Sequence, residues 1–184
     1  MRKVLFVIDM QNDFVAEGGA LSFPEARQIV PFVVGKVKEA LAQGQEVLFT
    51  LDTHTPEDRE FQKFPPHCLE GTPGHELIPE LKEVIQPYQG TGKIHFLKKS
   101  RYSAFFGTDL ETWLGLAPGS PKKKVDEVEL VGVCTNICCF FTAEELANRD
   151  IPVTAYAEGM ASFDVTAHTF ALEQMRTVLG IRVV

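Results

Sequence analysis

Apolar residues recur along the chain in six short runs that are rich in β-branched residues and nearly continuous rather than alternating with polar ones. The runs are KVLFVID (3–9), EVLFTLD (46–52), KIHFLKK (93–99), VELVGV (128–133), PVTAYAE (152–158) and IRVV (181–184). Continuous apolar runs of this length are typical of strands that are covered on both faces. The pattern therefore predicts six buried strands.

Stretches with helical character separate the predicted strands. They cover residues 26–44, 108–116, 136–150 and 166–180, and two of them close on a glycine suited to a helix C-terminus. Strands that alternate with helices are typical of parallel βαβ units. We therefore predict an α/β fold, a doubly wound three-layer sandwich with a six-stranded, mainly parallel sheet, formed by residues 1–184 as a single domain.

Composition and charge narrow the range of partners. The formal net charge of −7 repels nucleic acid and anionic membranes, and no apolar run approaches the roughly 20 residues of a membrane span. The first residues lack the cleavage site of a signal peptide, and the four cysteines are too unevenly spaced for a disulfide framework. We therefore expect a cytoplasmic protein with reduced thiols and without a nucleic-acid or membrane partner.

Chemically active side chains stand where the predicted strands end. Asp9, Asp52 and Lys99 end the first three strands, and a group of cysteines follows the fourth. Each has an ordinary explanation when taken alone, since a strand-end Asp often caps a turn, a lysine is usually solvated and a cysteine is often a small core residue. In an open parallel sheet, however, ligands bind beyond the carboxyl ends of the strands. The convergence of these groups therefore predicts a catalytic crevice.

The segment LVGVCTNICCFF (130–141) contains three of the four cysteines, Cys134, Cys138 and Cys139. Thr135 is expected to cap the helix that follows, which would place Cys138 in its first turn, where backbone N–H groups could hold an oxyanion. A helix N-terminus or a nearby cation is expected to lower the pKa of that thiol. Because Cys139 is rotated by about 100° around the helix, we predict that Cys138 is the thiol that faces Asp9 and Lys99.

Three segments, FVIDMQNDF, KSRYSAFFGTDLE and GVCTNICCFFTA, resemble the three signatures of the isochorismatase-like cysteine hydrolases and occur in the same order. The resemblance implies a catalytic triad of Asp9, Lys99 and Cys138 and a thioester intermediate. It also places Cys134 beside a cis peptide bond and implies that the backbone N–H groups of Cys134 and Cys138 form the oxyanion hole. Cys139 matches a packing position.

The irregular stretch 53–75 is long for a connection in a compact domain and is therefore expected to be functional. Asp52 and His54 share a face of extended backbone, and His67 supplies a second imidazole, a donor set that suits Zn, Mn or Fe(II). Solvated loop histidines are the ordinary alternative. The arrangement is similar to the metal site of nicotinamidases. This resemblance implies one divalent ion, for which Zn is favoured over Mn or Fe, and it implies Glu60 as a further candidate ligand.

The same resemblance implies that the substrate is nicotinamide, which would be hydrolysed to nicotinate and ammonia in NAD salvage while the ion anchors the pyridine nitrogen. Phe14 and Phe64 match aromatic positions that flank the ring in relatives, and Tyr102 is a weaker candidate; each could instead be a core residue. We also expect a homo-oligomer.

The residues leave three other functions open. A metal-free amidase or isochorismatase-type hydrolase would have the same triad but no metal. A binding or regulatory protein on this scaffold would not need all three triad positions, which are filled here. A thiol-redox protein could use Cys134 and Cys138, although their spacing is C-x3-C rather than C-x-x-C.

Overall fold

The computed structural model describes residues 1–184 and contains one sheet of six strands in the order β3-β2-β1-β4-β5-β6. The strands are β1 (Lys3–Ile8), β2 (Glu46–Asp52), β3 (Ile94–Lys99), β4 (Glu127–Val133), β5 (Val153–Ala161) and β6 (Arg182–Val183). All six predicted strands are confirmed, and every neighbouring pair is parallel. The winding direction reverses between β1 and β4, and in such sheets the crevice beyond this reversal is where ligands bind.

Seven helices connect the strands. They are α1 (Asn12–Val15), α2 (Pro24–Gln28), α3 (Val30–Ala42), α4 (Pro79–Ile85), α5 (Leu110–Trp113), α6 (Phe140–Ala147) and α7 (Val165–Thr177). None of them combines the length and the hydropathy that a membrane-spanning helix needs.

The helices differ from the sequence prediction in several places, among them the short α1, which was not predicted. The stretch 26–44 is two helices rather than one, because Pro31 has no N–H to donate and fits only in the first turn of α3. The predicted helix over 108–116 is reduced to the single turn of α5. Helix α4 was not predicted, although Pro79 at its start is a residue typical of a helix N-terminus.

Side chains that alternate along the central strands build two hydrophobic layers, one on each face of the sheet. Leu5 and Val7 of β1 pack with residues of α3 and α4. Val4 and Phe6 face the other way and pack with residues of α5, α6 and α7. Because both faces are covered, β1 is buried from Val4 to Ile8 and its carboxyl end leads directly into the crevice.

Strand β4 approaches β1 closely at that end. Gly132 pairs with Ile8 and has a φ of +124°, a region that L side chains rarely adopt, and a Cβ at this position would overlap the Ile8 backbone. The peptide bond between Val133 and Cys134, one residue further on, is cis, as the family resemblance implies. Gly132 therefore lets the cysteine-bearing segment leave β4 directly beside the end of β1.

We expect Gly132→Ala to lower the free energy of unfolding by more than about 1 kcal/mol, because the methyl group meets backbone and the native φ is strained for alanine. Gly35→Ala is the control: Gly35 lies in α3 with no atom close to its missing Cβ. This second change should stabilise the protein by roughly 0.5–1 kcal/mol. Urea denaturation of both variants measures the two effects, and equal stabilities would contradict the role of Gly132.

Candidate active site

The ammonium group of Lys99 lies buried at the centre of the crevice. Its Nζ is 2.7 Å from Asp9 Oδ2 and 3.2 Å from Asp52 Oδ1, and it donates to the backbone oxygen of Arg101 at 3.1 Å. The Cys138 Sγ lies 3.5 Å from the same Nζ. The structure thus brings together the three residues predicted for a triad and adds a second carboxylate, Asp52, to the group.

Asp9 is held in place by its neighbours as well as by Lys99. Its φ of +50° is unusual for a residue with a side chain, and it occurs where β1 ends. The Thr50 hydroxyl donates to Asp9 Oδ1 at 2.5 Å, and the Asp9 N–H donates to the Thr50 hydroxyl oxygen at 3.0 Å. These contacts fix the second carboxylate oxygen toward Lys99.

Burial and neighbouring charges determine the pKa values of Asp9 and Lys99. Burial raises the pKa of Asp9 and the charge of Asp52 adds to this effect, while the charge of Lys99 opposes it. Burial alone would lower the pKa of Lys99, but the charges of Asp52 and Asp9 outweigh burial and hold it well above the usual value. A carboxyl group with a raised pKa is suited to accept and return a proton near neutral pH.

The expected lowering of the Cys138 pKa is wrong. Burial raises the pKa of this thiol well above its usual value; the charge of Lys99 opposes this effect, and the charges of Asp9 and Asp52 add to it. A helix start and one cation do not compensate for a desolvated position beside two carboxylates. The thiol therefore carries its proton at rest and needs a base when it reacts.

Cys138 is carried by a single π-turn, Thr135–Cys139, which leads from β4 into α6. The residue that caps this turn is Cys134, whose carbonyl oxygen accepts two of the turn's N–H groups. Thr135 was expected to be the cap, but its hydroxyl instead hydrogen-bonds His168 Nδ1 on α7 at 2.8 Å. A tertiary partner thus takes the place of the local capping bond.

Four buried residues of β2 and the following loop converge next to Lys99. One ligand atom each of Asp52, His54, Glu60 and His67 lies within 4.8 Å of the others. The Nε2 atoms of His54 and His67 are 2.9 and 3.3 Å from Asp52 Oδ2. Asp52 therefore presents one oxygen to Lys99 and the other to the histidines.

The far side of each imidazole is already hydrogen-bonded. His54 Nδ1 lies 2.9 Å from Asp58 Oδ2, and His67 Nδ1 lies 2.7 Å from the backbone oxygen of Pro65. Carboxylate and carbonyl oxygens only accept, so each Nδ1 carries a proton and each Nε2 is the atom left to bind an ion, which would displace any proton that Nε2 shares with Asp52 Oδ2. Burial alone would lower the pKa of His54, but Asp52 and Asp58 raise it to about 9.

The four residues fit a divalent cation. Glu60 Oε2 is buried without a hydrogen-bond partner, and burial together with the charge of Asp52 raises the pKa of Glu60. A buried carboxylate beside another carboxylate is costly unless a cation compensates both charges. Two imidazoles and two carboxylates are a donor set used for Zn, Mn and Fe(II).

A cavity of about 380 Å³ joins the Cys138 thiol to this cluster. Phe14, Phe64 and Tyr102, the three aromatic residues singled out from the sequence, all line it. Sequence reasoning missed other apolar lining residues, which are Ala20, Leu21, Phe23, Val133, Ile137 and Phe163. The cavity is therefore mainly apolar with polar groups at one end, as is usual for sites that bind small molecules.

Sequence reasoning also missed polar residues that support the site. The Gln11 side chain donates to the Asp52 backbone oxygen at 2.9 Å and accepts from the Asp52 N–H at 2.7 Å. Asp13 Oδ2 accepts from the Cys68 N–H at 2.7 Å, next to His67. The signal for them was the cluster of polar residues in MQNDF, directly after the apolar run KVLFVID.

Comparisons with known proteins agree with this geometry. The family model described as Isochorismatase domain matches residues 3–183. A nicotinamidase/pyrazinamidase of Mycobacterium tuberculosis is 30% identical over 185 residues, covering 95% of each chain. A crystal structure of nicotinamidase/pyrazinamidase PncA from Bacillus subtilis is similar with a TM-score of 0.91 and 35% identity, over 100% of this chain and 99% of that one. A pyrazinamidase of Pyrococcus horikoshii in complex with zinc is similar with a TM-score of 0.83 and 28% identity, over 100% and 99%.

We expect Lys99→Met to lower the free energy of unfolding by about 3–5 kcal/mol, because it leaves two buried carboxylates without their cation. Lys98→Met is the matched control, since the Lys98 side chain is exposed and pairs only with exposed Glu70. Its loss should cost less than about 1 kcal/mol. Chemical denaturation of both variants measures the difference, and similar losses would show that Lys99 does not hold the carboxylates together.

Proposed function

The chain belongs to the isochorismatase family, and we propose that within it the protein is a metal-dependent cysteine amidohydrolase that converts nicotinamide to nicotinate and ammonia. The observation that carries the proposal is the cavity that joins a thiol beside a carboxylate and an ammonium to a four-residue cation site. The activity named for the relatives supports the same substrate. Ammonia release from nicotinamide, combined with elemental analysis of the purified protein, tests the proposal directly.

The first half-reaction forms a thioester. Cys138 Sγ attacks the carboxamide carbon while the thiol proton passes to Asp9, whose raised pKa suits it to this exchange. The backbone N–H groups of Cys134 and Cys138 donate to the developing oxyanion. The C–N bond then breaks, Asp9 returns the proton to the leaving nitrogen, and ammonia departs.

The second half-reaction restores the thiol. Asp9 takes a proton from water, the hydroxide attacks the thioester carbonyl carbon, and the C–S bond breaks to release the acid. The proton held by Asp9 returns to the Cys138 sulfur. Lys99 keeps Asp9 oriented throughout and balances the negative charge that moves between the carboxylate and the sulfur.

Asp52, His54, Glu60 and His67 are the residues that would hold the divalent ion, for which we propose Zn ahead of Mn or Fe. When bound, such an ion supplies a Lewis-acidic anchor for the pyridine nitrogen. Aromatic side chains in the cavity wall, Phe14, Phe64 and Tyr102, confine the ring. In this arrangement the ring is fixed at one end while the carboxamide faces the thiol, and the product enters NAD salvage.

The alternatives have less support. A metal-free amidase would gain nothing from a buried carboxylate such as Glu60 placed next to Asp52 and two imidazoles. A binding or regulatory protein would not require the contacts among Asp9, Lys99 and Cys138. A thiol-redox role of Cys134 and Cys138 would not explain the cation site.

Cys138→Ala is expected to abolish ammonia release, because no other thiol combines contact with Lys99 and a place in the cavity wall. Cys139→Ala and Cys68→Ala should retain most of the activity, since both side chains are fully buried and neither lines the cavity. Peptide mapping after iodoacetamide treatment should show that inactivation follows modification of Cys138. An inactive Cys139→Ala variant that folds normally would show that Cys138 is not the nucleophile.

A second expectation concerns the ring nitrogen. Benzamide has the same scissile amide as nicotinamide but no ring nitrogen, and a site built around a polar anchor rejects such an analogue by ~10⁴-fold. We expect kcat/KM of the metal-loaded protein to differ between nicotinamide and benzamide by this factor. His54→Ala should reduce the ratio of the two values, mainly because nicotinamide turnover is lost. Comparable turnover of the two amides would indicate a general amidase instead.

A further inference from the structure

Asp58 lies in the loop after β2, outside the residues that could ligate the ion, and both of its carboxylate oxygens are engaged. Oδ2 is 2.9 Å from His54 Nδ1, and Oδ1 accepts the backbone N–H of Glu60 at 2.9 Å. Through the second contact Asp58 caps the short 3₁₀ turn Arg59–Gln62, which carries Glu60. One side chain therefore contacts two of the four members of the cation site.

Arg101 holds Asp58 from the other side. Its Nη1 lies 3.0 and 3.2 Å from the two carboxylate oxygens of Asp58, and 3.8 Å from Glu60 Oε2. The backbone oxygen of Arg101 accepts a hydrogen bond from Lys99 Nζ. The segment that follows β3 thus reaches both the ammonium at the centre of the crevice and the carboxylate behind His54.

We propose that Asp58 is a positioning residue that orients His54 and Glu60 for the divalent ion, and that Arg101 fixes Asp58 in this role. The inference rests on the proposed function, because it concerns the cation site on which that function depends. The chemistry is that of a carboxylate that accepts the second N–H of a ligating imidazole, which fixes the ring and its proton.

Loss of Asp58 should have different effects on the cation site and on the fold. Without it, the His54 ring can rotate, and the turn that presents Glu60 loses its cap. The Asp58–Arg101 pair itself is partly solvent-exposed on the arginine side, and such pairs contribute little to the stability of a fold. Because Asp58 also contacts His54 and caps the Glu60 turn, its loss lowers the stability of the metal-free protein as well. A weaker ion affinity in a metal-free protein that still unfolds cooperatively in urea is therefore the signature of a positioning residue.

The test compares Asp58→Ala, Asp58→Asn and the control Glu57→Gln, which removes an exposed carboxylate one residue away. Zn²⁺ affinity is measured by competition with a chromophoric chelator, the Co²⁺-loaded proteins are compared by absorption spectroscopy, and the metal-free proteins are unfolded in urea. We expect a 10- to 100-fold weaker affinity and an altered Co²⁺ spectrum for Asp58→Ala. The loss should be smaller for Asp58→Asn, which keeps an acceptor oxygen, and absent for Glu57→Gln.

An unchanged Zn²⁺ affinity in Asp58→Ala would overturn the inference while leaving the proposed function intact. A wild-type protein that binds no divalent ion would overturn both. If Asp58→Ala does not fold, Arg101→Gln gives the same test through the residue that fixes Asp58: a several-fold weaker affinity at unchanged metal-free stability supports the inference, and wild-type affinity contradicts it.

Discussion

The crevice depends on one buried ammonium group, that of Lys99, which compensates the charge of buried carboxylates. Two carboxylates, Asp9 and Asp52, lie within 3.2 Å of it in the protein interior, where uncompensated charge is costly. Lys99 balances one of these charges, Glu60 adds another nearby, and His54, whose pKa the neighbouring carboxylates raise to about 9, offsets a further one when no ion is bound. The remaining negative charge lies on the side of Asp52 that faces the histidines, which is where a cation is needed.

The loop that supplies the cation ligands is attached to the end of β1 by side chains. Besides the bonds of Gln11 and Asp13, the Asn12 side chain donates to the backbone oxygen of Pro73 at 2.7 Å. The residues between Asp9 and Phe14 therefore form a frame on which a long irregular segment adopts one conformation. The loop that carries the cation ligands is thus attached to the strand end that carries Asp9.

Those parts of the structure that depend on local pattern or on strand ends were predictable from the sequence. The sheet followed from apolar runs, and the meeting of Asp9, Lys99 and Cys138 followed from parallel strands ending at one edge. The cap at Thr135 was predicted wrongly because its hydroxyl finds His168, which is distant in sequence. Arg101 was missed for the same reason, since its partner Asp58 is distant in sequence. Asp58 was missed although His54 and Glu60 lie within four residues of it, because no periodic pattern predicts the conformation of an irregular loop. The raised pKa of Cys138 depends on burial and summed charges, which no motif records.

The sharing of Asp52 between two neighbours also constrains how such a chain can evolve. One oxygen serves Lys99 and the other serves the cation cluster, so a replacement at this position disturbs both at once. Substitutions at the ends of β2 and β3 are therefore not independent. A homologue that loses the cation site by replacing Asp52 must also change the residues that balance the charge of Lys99. Among homologous sequences, this arrangement should therefore appear as covariation between the residues at these two strand ends rather than as strict conservation of either one.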